Sequence, residues 1–179
     1  MKNKKLKFYC EVAVYAAIGI VFDLIAGIIP KFWPNGGSLS IAMLPVFLMG
    51  YRYKLKGSLL TGLIIGCVQL IYASYLLNFF QIMLDYVLAY TVVGFCSIFL
   101  YHIENKKIIT KIIFSSLGVL LGVFLRLLLT TLSGYLFWET AWWPSFTYNL
   151  TYLLPSSILC LIIMIILINT LPNKYLYNN

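Results

Sequence analysis

With 179 residues, the chain has the length of a single domain. Hydrophobic residues make up 62% of it and charged residues only 10%, which excludes an ordinary soluble domain, where roughly 45–50% of residues are apolar. The net charge of +8 does not indicate nucleic-acid binding, because the basic residues lie at the ends of apolar runs, as orientation signals do. We therefore expect one integral membrane domain, residues 1–179, that contacts lipid and no nucleic acid.

Six apolar segments follow one another along the chain and predict an all-α, polytopic membrane protein. The expected bounds are about 8–29, 39–50, 55–77, 78–101, 108–137 and 146–171. The second segment contains Pro45 and is too short to cross a roughly 30 Å hydrocarbon core as a straight helix, so we expect it to be tilted, irregular or extended. The first segment carries Glu11 and Asp23 and lacks a cleavage site, so no cleaved signal peptide is expected.

The basic residues set the orientation of the predicted segments. Only Lys31 lies on the presumptive outer side, and Arg126 lies within the fifth segment. Because cytoplasmic loops carry the excess of Lys and Arg, we expect six transmembrane helices with both termini in the cytoplasm. Eleven of the 13 basic residues fall on that cytoplasmic side: Lys2, Lys4, Lys5, Lys7, Arg52, Lys54, Lys56, Lys106, Lys107, Lys111 and Lys174.

Asp85 stands inside the fourth apolar segment, within the stretch Gln81–Tyr86. An ionisable side chain at the centre of a membrane helix costs about 2.5–3.5 kcal/mol on insertion scales, so a partner or a ligand must offset it. One interpretation is an ion pair with Arg126, and the other is an outward-opening cavity in which Asp85 binds a cationic solute. The partner of Arg126 stays open between Asp85, Asp23 and a backbone carbonyl.

Polar and aromatic side chains concentrate in the outer half of the predicted bundle. Asp23 and Asp85 each lie roughly 10 Å below the outer end of their segments, Arg126 lies slightly deeper, and Asn149 lies near the outer end of the sixth. A belt of interfacial aromatics needs both faces of the membrane, whereas aromatics above a buried carboxylate suit a planar organic cation. All four tryptophans lie in the outer loops or just inside them: Trp33, Trp138, Trp142 and Trp143.

The inner half of the first segment carries Ala13 and Ala17, which are four residues apart and share one helix face. Faces of small residues at this spacing let another helix approach closely. Packing inside this protein and docking of a partner membrane protein are both compatible with such a face.

Nothing in the sequence predicts catalysis. His102 is the single histidine, and no HExxH, GxSxG, P-loop or CxxC pattern is present. We expect no enzyme, no metal, no cofactor and no nucleotide binding by this chain itself. The four cysteines lie in hydrophobic segments, where small apolar packing residues are expected: Cys10, Cys67, Cys96 and Cys160.

Five stretches, taken in order and spacing, carry a resemblance to a known family. The whole chain resembles the substrate-binding S component of energy-coupling factor (ECF) vitamin transporters, and most closely the thiamine-specific branch of that family. The resemblance implies a six-helix protein of the bacterial plasma membrane that captures the vitamin from outside. The stretches are Glu11-Val-Ala13 to Gly19, Trp33 through Ser40 with Met43-Leu-Pro45, Gln81 through Tyr86, Leu132 through Trp138, and Tyr148-Asn149 with Tyr152 to Pro155.

The same resemblance implies partners and site residues. It implies docking on a transmembrane coupling protein that carries two cytoplasmic ATPases, through the alanine face of Ala13 and Ala17. It implies thiamine or a related cationic vitamin as substrate and a substrate pocket formed by Asp85, which is one methylene shorter than the usual glutamate, and by the side chains of Tyr75, Tyr86, Trp138 and Asn149.

Two positions depart from the family's pattern. Thr130 stands where the family has a pocket histidine, and Pro144 stands where it has a pocket tyrosine, so that Trp142 or Trp143 is expected to supply the missing ring. The departures leave a thiamine precursor or another vitamin as an alternative substrate. A small membrane scaffold without transport function is a further alternative, although a scaffold does not need a buried acid beneath outward tryptophans.

Overall fold

A computed structural model describes residues 2–28, 37–73, 75–100, 103, 105–172 and 176–177. Every regular element in those ranges is helical, which confirms the all-α class for this part of the chain. The elements are, in order, α1 (Lys2–Ile28), α2 (Leu44–Gln69), α3 (Phe79–Ile82), a π-helical turn (Met83–Val87), α4 (Leu88–Val93), a 3-10 turn (Gly94–Ile98), α5 (Ile108–Phe137) and α6 (Trp142–Thr170). Of the expected features, Lys31, Trp33, His102 and Lys174 lie outside the described residues.

Four helical stretches in the described ranges are long and apolar enough to cross a membrane: Asn3–Ile28, Phe79–Ile98, Ile108–Phe137 and Trp142–Thr170. The second of them joins α3, the π turn, α4 and the 3-10 turn into one run, which we call the composite helix. The chain is therefore a membrane protein. The two further spans that the sequence predicts would be the halves of α2.

Helix α2 is broken in its middle. Tyr53 (φ −131°, ψ 15°) and Lys54 (φ 54°, ψ −148°) leave the helical conformation, and the φ of Lys54 is in the left-handed region. The break leaves residues 44–52 and 55–69, which are about 14 Å and about 22 Å long at 1.5 Å per residue. Each is shorter than a hydrocarbon core of about 30 Å. Pro45 does not interrupt the first half, because it lies in the first turn, where proline is tolerated.

Glycines let the composite helix approach its two neighbours closely. Gly62 and Gly66 of α2 face its backbone between Tyr86 and Thr91, and Gly118 and Gly122 of α5 face it between Val93 and Cys96. A Cβ at Gly122 would lie 2.8 Å from the backbone oxygen of Val93. The four-residue spacing on each flanking helix is the small-xxx-small pattern of tightly packed membrane helices.

One end of the bundle carries the basic side chains. The Arg52 Nε lies 2.6 Å from a carboxylate oxygen of Glu11, which ties the break in α2 to the first third of α1. Near the chain's end, the Tyr177 ring packs edge-on against Tyr51 and lies under the Lys111 ammonium, 5.3 Å away. These residues, which the sequence predicts to be cytoplasmic, thus lie together at one end of the bundle. The apolar core separates them from the cavity described below.

The glycine contacts predict that replacing glycine by alanine lowers stability at one position but not at another. Gly122→Ala should lower the free energy of unfolding by about 1–2 kcal/mol, because overpacking against backbone costs about 1–3 kcal/mol and the gain in helix propensity is only about 0.5–1 kcal/mol. Gly27→Ala should be neutral or slightly stabilising, since its Cβ meets no atom within 4 Å. Thermal unfolding in detergent measures both, and equal melting temperatures would contradict the close contact.

Candidate ligand-binding site

A cavity of about 640 Å³ lies at the end of the bundle opposite the basic cluster. Side chains from α1, α2, the composite helix, α5 and α6 line it, together with residues of the 37–43 and 70–75 connections. Its described lining contains three charged side chains, Asp23, Asp85 and Arg126. The volume lies in the range of about 300–1,000 Å³ that small-molecule sites have.

Asp85 lies in the π-helical turn, an irregularity that is frequent at functional sites. Its Oδ2 accepts hydrogen bonds from Gln81 Nε2 (2.6 Å) and Trp138 Nε1 (3.3 Å). Both donors use the same oxygen of the carboxylate. Within the described residues, no Lys or Arg nitrogen comes within 4.0 Å of this carboxylate, and the ion pairs found there involve Glu11.

Gln81 holds the carboxylate in place from one helical turn away. Its side chain is completely buried, and its Oε1 accepts a hydrogen bond from the backbone N–H of Leu77. Its own backbone N–H donates to the side chain of Asn78, which caps the start of α3. The sequence signal was present in the four-residue spacing of Gln81 and Asp85, which places them on one helix face, but the prediction did not assign Gln81 to the site.

An aromatic wall stands beside the carboxylate. The rings of Tyr75 and Trp138 meet edge to face at 5.4 Å, and the Tyr86 hydroxyl donates to the backbone oxygen of Tyr75. Trp138 is the first residue after α5, where Thr140 returns to bond the Gly134 carbonyl with its hydroxyl (2.6 Å). The structure thus brings Asp85, Tyr86, Tyr75 and Trp138 together in one cavity lining.

Asp23 is a second carboxylate of the cavity, and the sequence prediction left it out of the site. Its oxygens accept four hydrogen bonds, each from an uncharged side chain. Sequence periodicity does not reveal this cluster, because the donors come from four separate parts of the chain. The donors are Ser40 (3.3 Å), Gln69 (2.7 Å), Tyr72 (3.0 Å) and Tyr90 (3.3 Å).

Arg126 pairs directly with neither carboxylate. Its guanidinium carbon lies 3.9 Å from the centroid of the Tyr90 ring, a cation–π contact, while the Tyr90 hydroxyl donates to Asp23. Its buried Nε has no hydrogen-bond partner among the described residues. The expected ion pair of Arg126 with Asp85 is therefore absent from the described structure. The face of the Tyr90 ring contacts the guanidinium where a carboxylate or a backbone carbonyl was expected.

Thr130 and Asn149 line the same cavity and are largely buried. The Thr130 hydroxyl donates back to backbone oxygens of its own helix, which leaves a small side chain where the resemblance implies a histidine. Asn149 donates to the Ser145 carbonyl and accepts a 2.6 Å hydrogen bond from Tyr152. Both residues shape the wall, and their hydrogen-bonding groups already have partners within the protein.

Trp142 and Trp143 are not part of the described cavity lining, so the structure does not bring them together with the other predicted site residues. Trp142 packs edge-on against Tyr135, and Trp143 packs against Phe146 and is 71% exposed. The reason is the early start of α6 at Trp142, which fixes both side chains on its first turn. Pro144, on the same turn, is the residue that reaches the cavity.

Chemically, the site is an anionic aromatic pocket. Two carboxylates and one guanidinium leave one negative charge in its described lining, which an organic monocation would neutralise. Planar rings match the Trp138 and Tyr75 faces, since stacking and cation–π contacts both favour a cationic ring there. The described residues hold no group of three His, Cys, Asp or Glu side chains suited to a metal ion.

Three kinds of comparison with known proteins give matches. The family model described as "Thiamine transporter protein (Thia_YuaJ)" matches residues 9–176. Thiamine transporter ThiT of Bacillus subtilis is 32% identical over 183 residues, which cover 96% of this chain and 95% of that protein. A solved structure of ThiT from Listeria monocytogenes superposes with a TM-score of 0.87 at 22% identity, over 98% of this chain and 100% of that one, a likeness of fold.

Proposed function

Because the chain belongs to the thiamine transporter family, we propose that its cavity captures thiamine for uptake into the cell. Membership confirms the resemblance seen in the sequence and places the chain among transporters rather than enzymes. The observation that carries the proposal is Asp85, a carboxylate without a cationic partner in the described structure, beneath the rings of Tyr75 and Trp138.

Charge and shape support thiamine over an uncharged vitamin. Thiamine carries one positive charge on a thiazolium ring, joined to a planar aminopyrimidine. Its charge compensates the single net negative charge of the described lining, and its rings offer faces to Trp138 and Tyr75. A thiamine precursor or another cationic vitamin is the alternative, because Thr130 and Pro144 leave more room than the residues implied by the resemblance.

We propose that the 179 residues form one domain with six membrane spans and both termini in the cytoplasm of a bacterial plasma membrane. The four candidate spans support this count, and the two halves of α2 would be the other two. The meeting of Glu11, Arg52, Lys111 and Tyr177 at one end supports a cytoplasmic face there, since positive residues prefer that side. The cavity at the opposite end would then open toward the outside.

We further propose that the chain is the S component of an ECF importer, which delivers thiamine through a transmembrane coupling protein and two cytoplasmic ATPases. Ala13 and Ala17 are exposed on α1, whereas Val12 and Ala16, on its other face, are buried at 2% and 1%. Packing among the described residues therefore leaves the two alanines exposed. A small-residue face left open is suited to close approach by another membrane helix.

Binding of thiamine to the purified protein tests the proposal directly. Added thiamine should quench tryptophan fluorescence, because Trp138 lines the cavity. A membrane scaffold without transport function should show no saturable quenching by thiamine.

Asp85→Asn should weaken thiamine binding by about 1.5–3 kcal/mol, on the order of tenfold to a hundredfold in Kd, because hydrogen bonds to charged groups are worth about that amount. The asparagine keeps the size of the side chain and an oxygen for Gln81 and Trp138. Isothermal titration calorimetry measures the change. Glu139→Gln removes an exposed acid that does not line the cavity and should leave Kd unchanged. If the two variants raise Kd equally, the loss of affinity comes from the overall charge of the protein and not from Asp85.

Trp138→Phe should reduce both thiamine affinity and quenching. A base stacked on an aromatic side chain is worth about 1–3 kcal/mol in nucleic-acid complexes, and phenylalanine keeps part of the ring but not the N–H that bonds Asp85. Trp143→Phe is the matched control, since Trp143 is 71% exposed and outside the lining. If the control variant loses as much quenching as Trp138→Phe, the ligand does not sit against Trp138.

Ala13→Trp and Ala17→Trp should abolish thiamine uptake by cells while purified protein still binds thiamine. Bulk on a small-residue face blocks close helix approach, and the cavity lies at the other end of the bundle. Leu120→Trp, which alters an exposed apolar side chain of α5, should allow normal uptake. Normal uptake by both alanine variants would instead assign this face of α1 to lipid.

A further inference from the structure

A second cavity lies at the basic end of the bundle, where the break in α2 faces the 3-10 turn of the composite helix. We call it the inner notch, and its volume is about 540 Å³. It shares no described lining residue with the cavity proposed for thiamine. Its described lining carries two basic side chains and no acidic one, and consists of Tyr53, Lys54, Leu55, Lys56, Ser97 and Ile98.

The inner notch lies at the depth expected for the cytoplasmic boundary of the membrane. Gln69 of α2 bonds Asp23, which the sequence places roughly 10 Å below the outer end of its segment. Leu55, at the notch, lies fourteen residues before Gln69 on the same helix, a rise of about 21 Å. The notch is thus about 30 Å from the outer boundary, which is the thickness of a hydrocarbon core. In the proposed orientation, headgroups of the cytoplasmic leaflet lie at this depth.

The lining of the inner notch combines positive charge with apolar surface. Lys54 and Lys56 are exposed, and Lys56 makes no ion pair with any described residue. Beside them, Leu55 and Ile98 expose apolar side chains, and Ile98 is 56% exposed. A phosphate suits the ammonium groups and a hydrocarbon chain suits the apolar side chains, and a phospholipid carries both. Basic pockets between membrane helices on the cytoplasmic side are typical sites for anionic headgroups.

The backbone at Lys54 gives an independent reason to assign its side chain a role. Its φ of 54° and ψ of −148° lie in a region that residues with a Cβ rarely adopt and that glycine adopts readily. A glycine would make the same break at a lower cost in free energy. Unfavourable conformations of this kind cluster at functional sites, and the lysine here adds a positive charge to the lining of the notch.

We propose that the inner notch binds the headgroup of an anionic phospholipid of the cytoplasmic leaflet. The phosphate oxygens accept hydrogen bonds from the ammonium groups of Lys54 and Lys56, and an acyl chain runs along Leu55 and Ile98. These exposed apolar side chains favour a lipid over a soluble phosphate, which makes no contact with them. The bound lipid joins the break in α2 to the 3-10 turn of the composite helix.

The test compares anionic phosphatidylglycerol with zwitterionic phosphatidylcholine, bound to the detergent-solubilised protein and measured by native mass spectrometry. Wild type should bind phosphatidylglycerol about tenfold to thirtyfold more tightly, since each basic residue near an anionic membrane surface contributes about fivefold. The double variant Lys54→Gln, Lys56→Gln should bring this ratio close to one. The double variant Lys4→Gln, Lys5→Gln is the matched control, because it removes the same charge from exposed lysines outside the notch and should keep the ratio.

Lys54→Gly separates the role of the side chain from that of the backbone. It should raise the melting temperature of the lipid-free protein, because glycine tolerates the left-handed conformation. It should also lower the preference for phosphatidylglycerol by about fivefold, the share of one basic residue. Thiamine should bind all of these variants as it binds wild type, because the thiamine cavity lies at the other end of the bundle, and this binding shows that they are folded.

Three results would overturn the lipid site. Equal affinity of wild type for the two lipids shows that the notch does not select a headgroup. An equal loss of preference in the Lys4, Lys5 control assigns the selection to the overall positive charge of the protein. Glycerol 3-phosphate that binds wild type as tightly as phosphatidylglycerol shows that the acyl chain contributes nothing and makes the notch a site for a soluble anion.

Discussion

The charge of Asp85 inside an apolar helix is the constraint that the rest of the site satisfies. A carboxylate in a membrane segment is unfavourable by about 2.5–3.5 kcal/mol on insertion scales, and two hydrogen bonds to one oxygen offset part of that. The π turn around Asp85 and the buried Gln81 fix the direction of its side chain. Neither supplies a positive charge. The cationic ligand that we propose would supply further stabilisation, and for this reason a carboxylate in this position supports a ligand-binding role.

That constraint extends to the packing of the helices. The composite helix, which contains the π turn, packs at short distance against helices on both sides, through Gly62 and Gly66 on α2 and Gly118 and Gly122 on α5. Close backbone contact leaves no freedom for the helix to rotate and withdraw Asp85 from the cavity. The glycines would therefore contribute to the proposed ligand recognition without touching the ligand, because they fix the helix that carries the carboxylate.

Local signals in the sequence predicted those parts of the site that depend on one helix. The bounds of the fifth segment agree with α5, and Asn78, a favoured N-cap residue, marks the start of the fourth. The apolar run around Asp85 and the position of Trp138 at a helix end were enough to place both in one cavity. These inferences need only the hydropathy of each segment, the depth of a residue within it and the helix length, all of which follow from the order of residues in the sequence.

Contacts between distant segments were not predictable in the same way. The four donors to Asp23 come from a loop, from α2, from its following connection and from α4, and no periodicity joins them. The cation–π contact of Arg126 with Tyr90 was missed because carboxylates and carbonyls were the partners considered. Trp142 and Trp143 were expected before the sixth segment, but α6 begins four residues earlier, so both lie on its first turn and are not part of the described cavity lining.

The layer beneath the cavity bears on how a vitamin could leave it. Phe47, Ile65 and Val93 are completely buried, and the packed core to which they belong lies between the cavity and the basic end of the bundle. Rotation of single side chains does not let a charged solute cross such a layer, because the solute would lose its hydrogen bonds inside the apolar core. Release toward the basic end therefore requires helices, or the whole protein, to move. Movement of that kind needs an energy source, and in our proposal the coupling module that docks on the exposed alanines of α1 would supply it.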